Sequence, residues 1–162
     1  MSDQENTRYS DTDDGIDERY LVFKLGSELY ATPLLRVREV VEPFAPKPLP
    51  NTPNHFSGVV DIRGEIVGVI DLRLRFGHKV AQSPYQALMV FATSAGPMAA
   101  LVDEVESVIT LSESEIEKQP NIGSDLKTDS ILGIGRKDKK LITLIDLMNV
   151  LEAYGVHTKR AA

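Results

Sequence analysis

The sequence predicts an all-β fold built as two small barrels that share one hydrophobic core. The first observation is an internal repeat, because residues 58–72 (GVVDIRGEIVGVIDL) return without a gap as residues 133–147 (GIGRKDKKLITLIDL). The second is a set of about nine short apolar runs rich in β-branched residues, separated by turns rich in glycine and proline. Two copies 75 positions apart do not make a solenoid. Since barrels leave no long open edge, the repeat indicates two related barrel subdomains.

The first copy predicts a strand, a tight turn, a second strand and a capped helical turn. Residues 59–62 and 66–70 are short β-branched runs, and Gly64-Glu65 between them suits a type II′ hairpin turn. Asp71 precedes residues 72–76, where its carboxylate can accept hydrogen bonds from the free N–H groups of a helix. Gly77 then ends that helical turn.

The second copy follows the same order with a longer helix. Residues 138–140 (DKK) occupy the turn, so a turn of another type is expected there. Asp146 is the predicted N-cap and Gly155 the predicted helix end. Leu147, Leu151 and Tyr154 fall at i, i+4 and i+7, which predicts one buried face.

Before the first copy, the apolar alternation beginning after Arg19 predicts a strand, and residues 28–32 predict its return. Residues 34–42 fit either a helix face or a strand, and a short helical turn followed by a strand is favoured. Residues 43–53 contain five prolines, which predicts an extended surface segment. Thr52-Pro53 predicts the start of a short helix.

Between the copies, residues 87–92, 98–102 and 105–111 predict strands. Ser112 and Glu115 have the spacing of a capping box, so a brief helix over residues 113–117 is expected. Residues 119–128 predict a polar loop.

Charge divides the chain into a tail and a body. The net charge is −6, and residues 1–18 carry seven acidic residues and one basic residue, so the remainder is neutral. This predicts a disordered acidic tail at 1–18, a folded domain at 19–155 and a C-terminal tail at 156–162. A neutral body argues against nucleic-acid binding. The absence of a signal peptide or a long apolar run predicts a cytoplasmic protein that does not insert into a membrane.

No residue pattern predicts catalysis, a metal or a cofactor. The chain has no cysteine, and its three histidines lie in separate segments. The acids Asp103, Glu104 and Glu106 alternate along one predicted strand, which predicts a solvated edge. We therefore expect a protein that acts through its surface. The charges of residues 36–39 lie among valines, which fits either an interface with an apolar centre and polar rim or a half-buried edge strand without a partner.

Four segments together resemble the CheW family of chemotaxis coupling proteins. They are residues 20–43 (YLVFKLGSELYATPLLRVREVVEP), 49–77 (LPNTPNHFSGVVDIRGEIVGVIDLRLRFG), 101–117 (LVDEVESVITLSESEIE) and 131–151 (ILGIGRKDKKLITLIDLMNVL). The resemblance implies two intertwined five-stranded SH3-like barrels around a hydrophobic core, with short helices including one at the C-terminus. It also implies a non-catalytic adaptor at receptor arrays. The implied partners are chemoreceptor tips (methyl-accepting chemotaxis proteins), the histidine kinase CheA and other CheW-like proteins in rings.

Carried over by position, the resemblance assigns receptor and kinase coupling to Val37, Glu39, Gly58 and Arg63, with Glu39 and Arg63 expected to pair near the groove between the barrels. No residues support a nucleotide site. Asp61 stands where the family usually has Asn, and Gly68 stands at a common Pro. An alternative function is a CheW-like scaffold in a pilus, surface-motility or other regulatory pathway.

Overall fold

The computed structural model describes residues 17–118 and 130–152, which contain eleven β-strands, two short α-helices and two 3-10 turns. The strands are β1 (Glu18–Leu25), β2 (Glu28–Pro33), β3 (Glu39–Val41), β4 (Phe56–Ile62), β5 (Glu65–Asp71), β6 (Ala87–Thr93), β7 (Gly96–Val102), β8 (Glu104–Leu111), β9 (Ile116–Glu117), β10 (Ile131–Lys137) and β11 (Lys140–Ile145). Helix α1 is Leu72–Arg75 and α2 covers residues 147–152, while the 3-10 turns are Leu34–Arg36 and Glu113–Glu115.

The strands form two sheets that are nested in the sequence. The five-stranded sheet has the order β3-β6-β7-β5-β4 and uses one continuous stretch of chain. The six-stranded sheet has the order β8-β1-β2-β11-β10-β9, so its strands come from both sides of that stretch. The β5–β7 and β2–β11 pairs are parallel, while the other paired neighbours are antiparallel. The predicted all-β fold of two intertwined subdomains is confirmed, with the two-residue strand β9 as a sixth strand in one of them.

Three apolar clusters fill the fold, and β1 contributes to two of them. Leu21, Phe23 and Leu25 belong to the cluster shared by the two sheets, which also holds residues of both helices. Tyr20 and Val22 point to the other side and pack inside the six-stranded subdomain. The five-stranded subdomain has a separate cluster built from β4, β5, β6 and β7. The predicted common core is therefore present, with one additional core inside each subdomain.

The two copies of the repeat have the same structure at the same offset. β4 and β5 match β10 and β11, and each second strand leads into a helix. Both predicted N-caps are confirmed, because Asp71 Oδ1 accepts from the backbone N–H of Arg73 at 3.0 Å and Asp146 Oδ1 from that of Asn149 at 3.2 Å. Leu147 and Leu151 are buried as predicted. Tyr154 and Gly155 lie outside the described residues.

The hairpin turns differ from the prediction in both copies. The first turn is Arg63-Gly64, with φ of 52° and 89°, and the second is Asp138-Lys139, with φ of 51° and 67°. Two positive φ values are the type I′ pattern, so the predicted type II′ turn at Gly64-Glu65 and the predicted difference between the copies are both wrong. The buried residues on either side determine the register, because Ile62 and Val67 must both face the core, which pairs Glu65 with Ile62 inside the ladder.

Other local predictions have mixed outcomes. Residues 34–42 form a 3-10 turn and then strand β3, as favoured, and the capping box at Ser112 is present. The helix predicted at Thr52-Pro53 is wrong, because those residues are not helical and the Phe56 N–H donates to the Pro53 carbonyl in a turn that leads into β4. Glu18, assigned to the tail, begins β1. The predictions for residues 1–16, 119–129 and 153–162 lie outside the described residues.

Position 58 requires a glycine because another segment of backbone passes close to it. Lys47 and Val59 exchange two backbone hydrogen bonds of 2.8 and 2.9 Å, which bring the proline-rich segment against the edge strand β4. Gly58 has a φ of 133°, and a Cβ atom there would overlap the Lys47 carbonyl. Gly133 repeats this arrangement in β10, where a Cβ would lie 2.8 Å from the Glu117 carbonyl oxygen. Both glycines therefore make room for a neighbouring backbone.

We expect Gly58→Ala to destabilise the fold by about 1–3 kcal/mol, because the added methyl group must displace the Lys47 backbone. Urea unfolding measures this loss. Gly77→Ala is the matched control, since Gly77 also has a positive φ but a Cβ added there would have no atom within 4 Å. Equal losses in the two variants would show that backbone strain, and not the close approach, is what Gly58 relieves.

Candidate functional site

The structure brings two of the four predicted site residues into contact and gives the other two supporting positions. Glu39 begins β3 and Arg63 occupies the β4–β5 turn, and their side chains form an ion pair. Val37 is half-buried and packs against the shared core. Gly58 is buried in β4 and faces Lys47. The expected pairing of Glu39 with Arg63 is therefore present.

A second ion pair lies beside the first. Arg38 Nη2 is 2.7 Å from Glu65 Oε1, so two consecutive residues, Arg38 and Glu39, each contact the β4–β5 hairpin. Both pairs therefore connect the start of the edge strand β3 to the β4–β5 hairpin, which lies at the other side of the five-stranded sheet. The hydrogen bond to Glu39, followed by its negative charge, raises the pKa of Arg63.

The two members of the first pair differ in exposure. The Arg63 side chain is 67% exposed, whereas that of Glu39 is only 22% exposed. Glu39 therefore acts as a fixed anchor, and Arg63 presents its guanidinium to solvent. Exposed apolar residues follow both pairs, with Val40 next to Glu39 and Ile66 next to Glu65. Val40 and Ile66 point away from the five-stranded core, because the next residues of their strands, Val41 and Val67, pack in it.

Asp61 holds the turn that carries Arg63. Its Oδ1 accepts from the Gly64 N–H at 2.8 Å, which stabilises the two positive φ values of the turn. Asn, the usual family residue, also offers a side-chain carbonyl oxygen at this position, so the departure preserves the contact. Gly68, the other departure, lies close to Met98, whose Sδ would be 2.9 Å from an added Cβ.

A buried charged cluster lies elsewhere, and its arginine was not singled out in the sequence. Arg73 is 4% exposed, and its Nε and Nη2 donate to the two carboxylate oxygens of Asp71 at 2.9 and 3.0 Å. Its Nη1 donates to Asp103 Oδ1 at 3.1 Å and to the Ala81 carbonyl at 3.0 Å. Asp103 Oδ2 accepts from the Gly26 N–H at 2.7 Å. The predicted solvated edge is therefore wrong for Asp103, because its carboxylate pairs with Arg73. That arginine lies 30 residues away in the sequence, so no local pattern indicates the pair.

This cluster is suited to structure and not to acid–base chemistry. Asp71 and Asp103 raise the pKa of the Arg73 guanidinium, and the hydrogen bond to Asp71 makes the largest contribution. Both carboxylates are therefore held next to a permanent positive charge. Comparing the two repeat copies does point to Arg73 in the sequence, because the matching residue of the second copy is the uncharged Met148.

The histidines also have structural surroundings where they are described. His78 Nε2 is 2.7 Å from the Tyr30 hydroxyl, and burial is the main cause that lowers the pKa of His55. Across residues 17–118 and 130–152, no group of three or more His, Asp or Glu side chains could hold a metal ion. No helix in the same ranges is long and apolar enough to cross a membrane.

Comparison with known proteins assigns the family. The model of the CheW-like domain matches residues 19–154. The chain belongs to the CheW-like domain family. It is 28% identical to the chemotaxis protein CheW of Klebsiella aerogenes and 31% identical to that of Bacillus subtilis. These alignments cover 85% and 83% of this chain and 84% and 87% of the relatives.

A solved CheW structure has the same fold. The crystal structure of the scaffolding protein TtCheW from Thermoanaerobacter tengcongensis superposes with a TM-score of 0.74 at 32% identity. The match covers 82% of this chain and 86% of that one. The predicted CheW-like fold and the predicted adaptor role in chemotaxis signal transduction are confirmed at the level of the family.

We expect Arg73→Met to lower the free energy of unfolding by about 3–5 kcal/mol, because the carboxylates of Asp71 and Asp103 would stay buried without a counter-charge. Urea unfolding at neutral pH measures this. Arg75→Met, on the same helix but half-exposed, is the matched control and should lose well under half as much. Similar losses in the two variants would argue against a structural role for the buried cluster.

Asp61→Ala should loosen the turn that carries Arg63 and lower the free energy of unfolding by about 1 kcal/mol, the usual contribution of one hydrogen bond. Asp61→Asn retains the acceptor and should be close to the parent protein. The amide hydrogen-exchange rate of Gly64 measures the contact directly. Faster exchange in the Asn variant than in the Ala variant would contradict the assigned hydrogen bond.

Proposed function

We propose that this protein is a non-catalytic adaptor that holds the cytoplasmic tips of chemoreceptors and the histidine kinase CheA in one complex. The observation that carries the proposal is the Glu39–Arg63 ion pair, which presents an exposed guanidinium at the closed edge of the five-stranded subdomain. Membership of the CheW-like family supports the same role. The protein would reach receptor arrays through these partners, with other CheW-like proteins as further contacts in rings.

The geometry suits recognition more than stabilisation. A mostly exposed arginine is well solvated, so its pairing with Glu39 adds little to folding but fixes the direction in which the guanidinium points. Exposed charges at an interface determine partner choice and association rate more than total affinity. The neighbouring Val40 and Ile66 supply apolar surface that a partner can bury.

The four coupling residues have different roles in this proposal. Arg63 contacts the partner, and Glu39 orients Arg63. Val37 joins β3 to the shared core, so it fixes where Glu39 stands. Gly58 acts indirectly, because it allows the Lys47 segment to lie against β4. Only the first of these residues needs to touch a receptor or kinase directly.

Arg63→Glu should weaken assembly with a receptor fragment and the kinase by roughly tenfold or more, because the variant places a like charge next to Glu39 and reverses the charge met by the partner. The melting temperature should be nearly unchanged, since the side chain is mostly exposed. Co-sedimentation of the ternary complex and receptor-dependent kinase autophosphorylation measure the effect.

Lys79→Glu, an exposed charge reversal in the loop after α1, is the matched control and should retain coupling. The exchanged pair, Glu39→Arg with Arg63→Glu, separates two explanations. It restores coupling if pair geometry is what matters, and fails if the partner requires the positive charge at position 63. If Arg63→Glu alone unfolds the protein, the ion pair is needed for stability and not for recognition. If Arg63→Glu alone leaves coupling normal, the proposed role of Arg63 is wrong.

The alternative role in a pilus, surface-motility or other regulatory pathway stays a prediction. No contact among the described residues favours it over coupling to a chemoreceptor. A wild-type protein that forms no ternary complex with its cognate receptor and kinase, and leaves kinase activity unchanged, would favour that alternative.

A further inference from the structure

A cleft with a volume of about 540 Å³ lies between the two subdomains, and we call it the inter-subdomain cleft. On the five-stranded side it is lined by residues 42–43, which follow β3, and by residues 83–87, which lead into β6. On the six-stranded side it is lined by residues 104–105, which begin β8. The cleft is therefore a surface to which both sheets contribute.

Tyr85 is an exposed aromatic residue of this cleft. It is 65% exposed, and among the described residues its ring contacts no other aromatic ring and its hydroxyl forms no hydrogen bond. Tyr20 and Tyr30 differ, because the hydroxyl group of each forms a hydrogen bond within the fold. Tyrosine is one of the residues that contribute most to binding at protein interfaces, because it combines a large apolar ring with a hydroxyl group.

The backbone of Tyr85 is held in place although its side chain is exposed. Ser83 Oγ accepts from the Tyr85 N–H at 3.2 Å and donates to the Asp103 carbonyl at 2.8 Å. Asp103 is fixed in turn, because its N–H donates to the Lys24 carbonyl and its carboxylate accepts from Arg73. A residue that is already held loses less conformational entropy when a partner binds it.

The charge of the cleft indicates the chemistry of its occupant. Glu42 and Glu104 line the cleft, no lining residue is basic, and neither glutamate forms a salt bridge within the part of the chain that the structure describes. A complementary occupant brings a positive charge beside an apolar side chain that packs on the Tyr85 ring. The cleft also adjoins the Glu39–Arg63 pair, because Glu42 lies three residues after Glu39, about 10 Å along an extended chain.

We propose that Tyr85 is a partner-contacting residue and that Ser83 positions it by joining it to Asp103. The occupant of the inter-subdomain cleft is the same protein that contacts Arg63, and it enters the cleft with a basic and an apolar side chain. This inference rests on the adaptor function proposed above, since that function supplies the partner.

Tyr85→Ala should weaken binding of that partner by roughly tenfold or more, because an exposed aromatic anchor is lost. Tyr85→Phe retains the ring and should bind nearly as tightly as the parent protein. Val80→Ala shortens another exposed apolar side chain of the same loop, outside the cleft, and is the matched control that should bind as the parent does. Isothermal titration of the full chain with a chemoreceptor fragment, and separately with CheA, measures these affinities.

Arg63→Glu identifies the partner in the same two titrations. The protein that binds Arg63→Glu more weakly should also bind Tyr85→Ala more weakly. A loss in Tyr85→Ala for a partner that Arg63→Glu does not affect would overturn the shared occupant. Equal affinities of Tyr85→Ala and the parent for both partners would overturn the contact itself. A parent protein that binds neither partner would instead refute the adaptor function.

Ser83→Ala tests the positioning step. It removes the acceptor of the Tyr85 N–H, so hydrogen exchange of that amide should accelerate and partner affinity should fall several-fold. In the Tyr85→Ala background the same substitution should cause no further loss, because Ser83 acts through Tyr85. Ser94→Ala removes a serine hydrogen bond to Glu152 outside the cleft and is the matched control that should change neither quantity. Equal losses from Ser83→Ala in the two backgrounds would overturn its positioning role.

Discussion

The guanidinium of Arg73 is a buried polar link between the two subdomains, in addition to the apolar cluster that they share. Through its bonds to Asp71 and Asp103 it joins helix α1 to the point where the chain leaves β7 and enters β8, which is also where the chain passes from one sheet to the other. Asp103 in turn accepts from the Gly26 N–H and donates its backbone N–H to the Lys24 carbonyl, both on the six-stranded side. Burying three charges is costly, so the cluster is better understood as defining one arrangement than as adding net stability.

Each subdomain is closed by side chains of its repeat hairpin, but the chemistry differs between the copies. In the five-stranded subdomain, Arg63 and Glu65 form ion pairs with Glu39 and Arg38, at the start of the edge strand β3. In the six-stranded subdomain, Lys137 reaches the edge strand β8 through a backbone carbonyl and also lies 3.9 Å from a carboxylate oxygen of the 3-10 turn that follows. The backbone structure of the hairpin is therefore common to both copies, whereas the side chains around each turn differ, so the two turns present different charges.

Much of the fold could be predicted from sequence because its determinants are local. The caps at Asp71 and Asp146 and the capping box at Ser112 each depend on residues a few positions apart. The errors arise from interactions that are not local. The register of the hairpin turn depends on which residues the core buries. The burial of the Asp103 carboxylate depends on an arginine 30 positions away. The Glu39–Arg63 contact was predicted only through the family resemblance. The alternation of charged residues and valines at positions 36–39 fitted an edge strand without a partner as well as it fitted an interface.

The nested topology also changes what a substitution at Gly58 can reveal about coupling. A side chain at this position would collide with the Lys47 backbone, and the proline-rich segment would have to move away from β4. Loss of coupling in such a variant would therefore not show that a partner touches Gly58. Arg63 is the opposite case, because its exposed side chain can change charge while the buried ladder beneath it keeps its register. Evidence for a direct partner contact must come from the turn and not from the glycine that supports the strand leading to it.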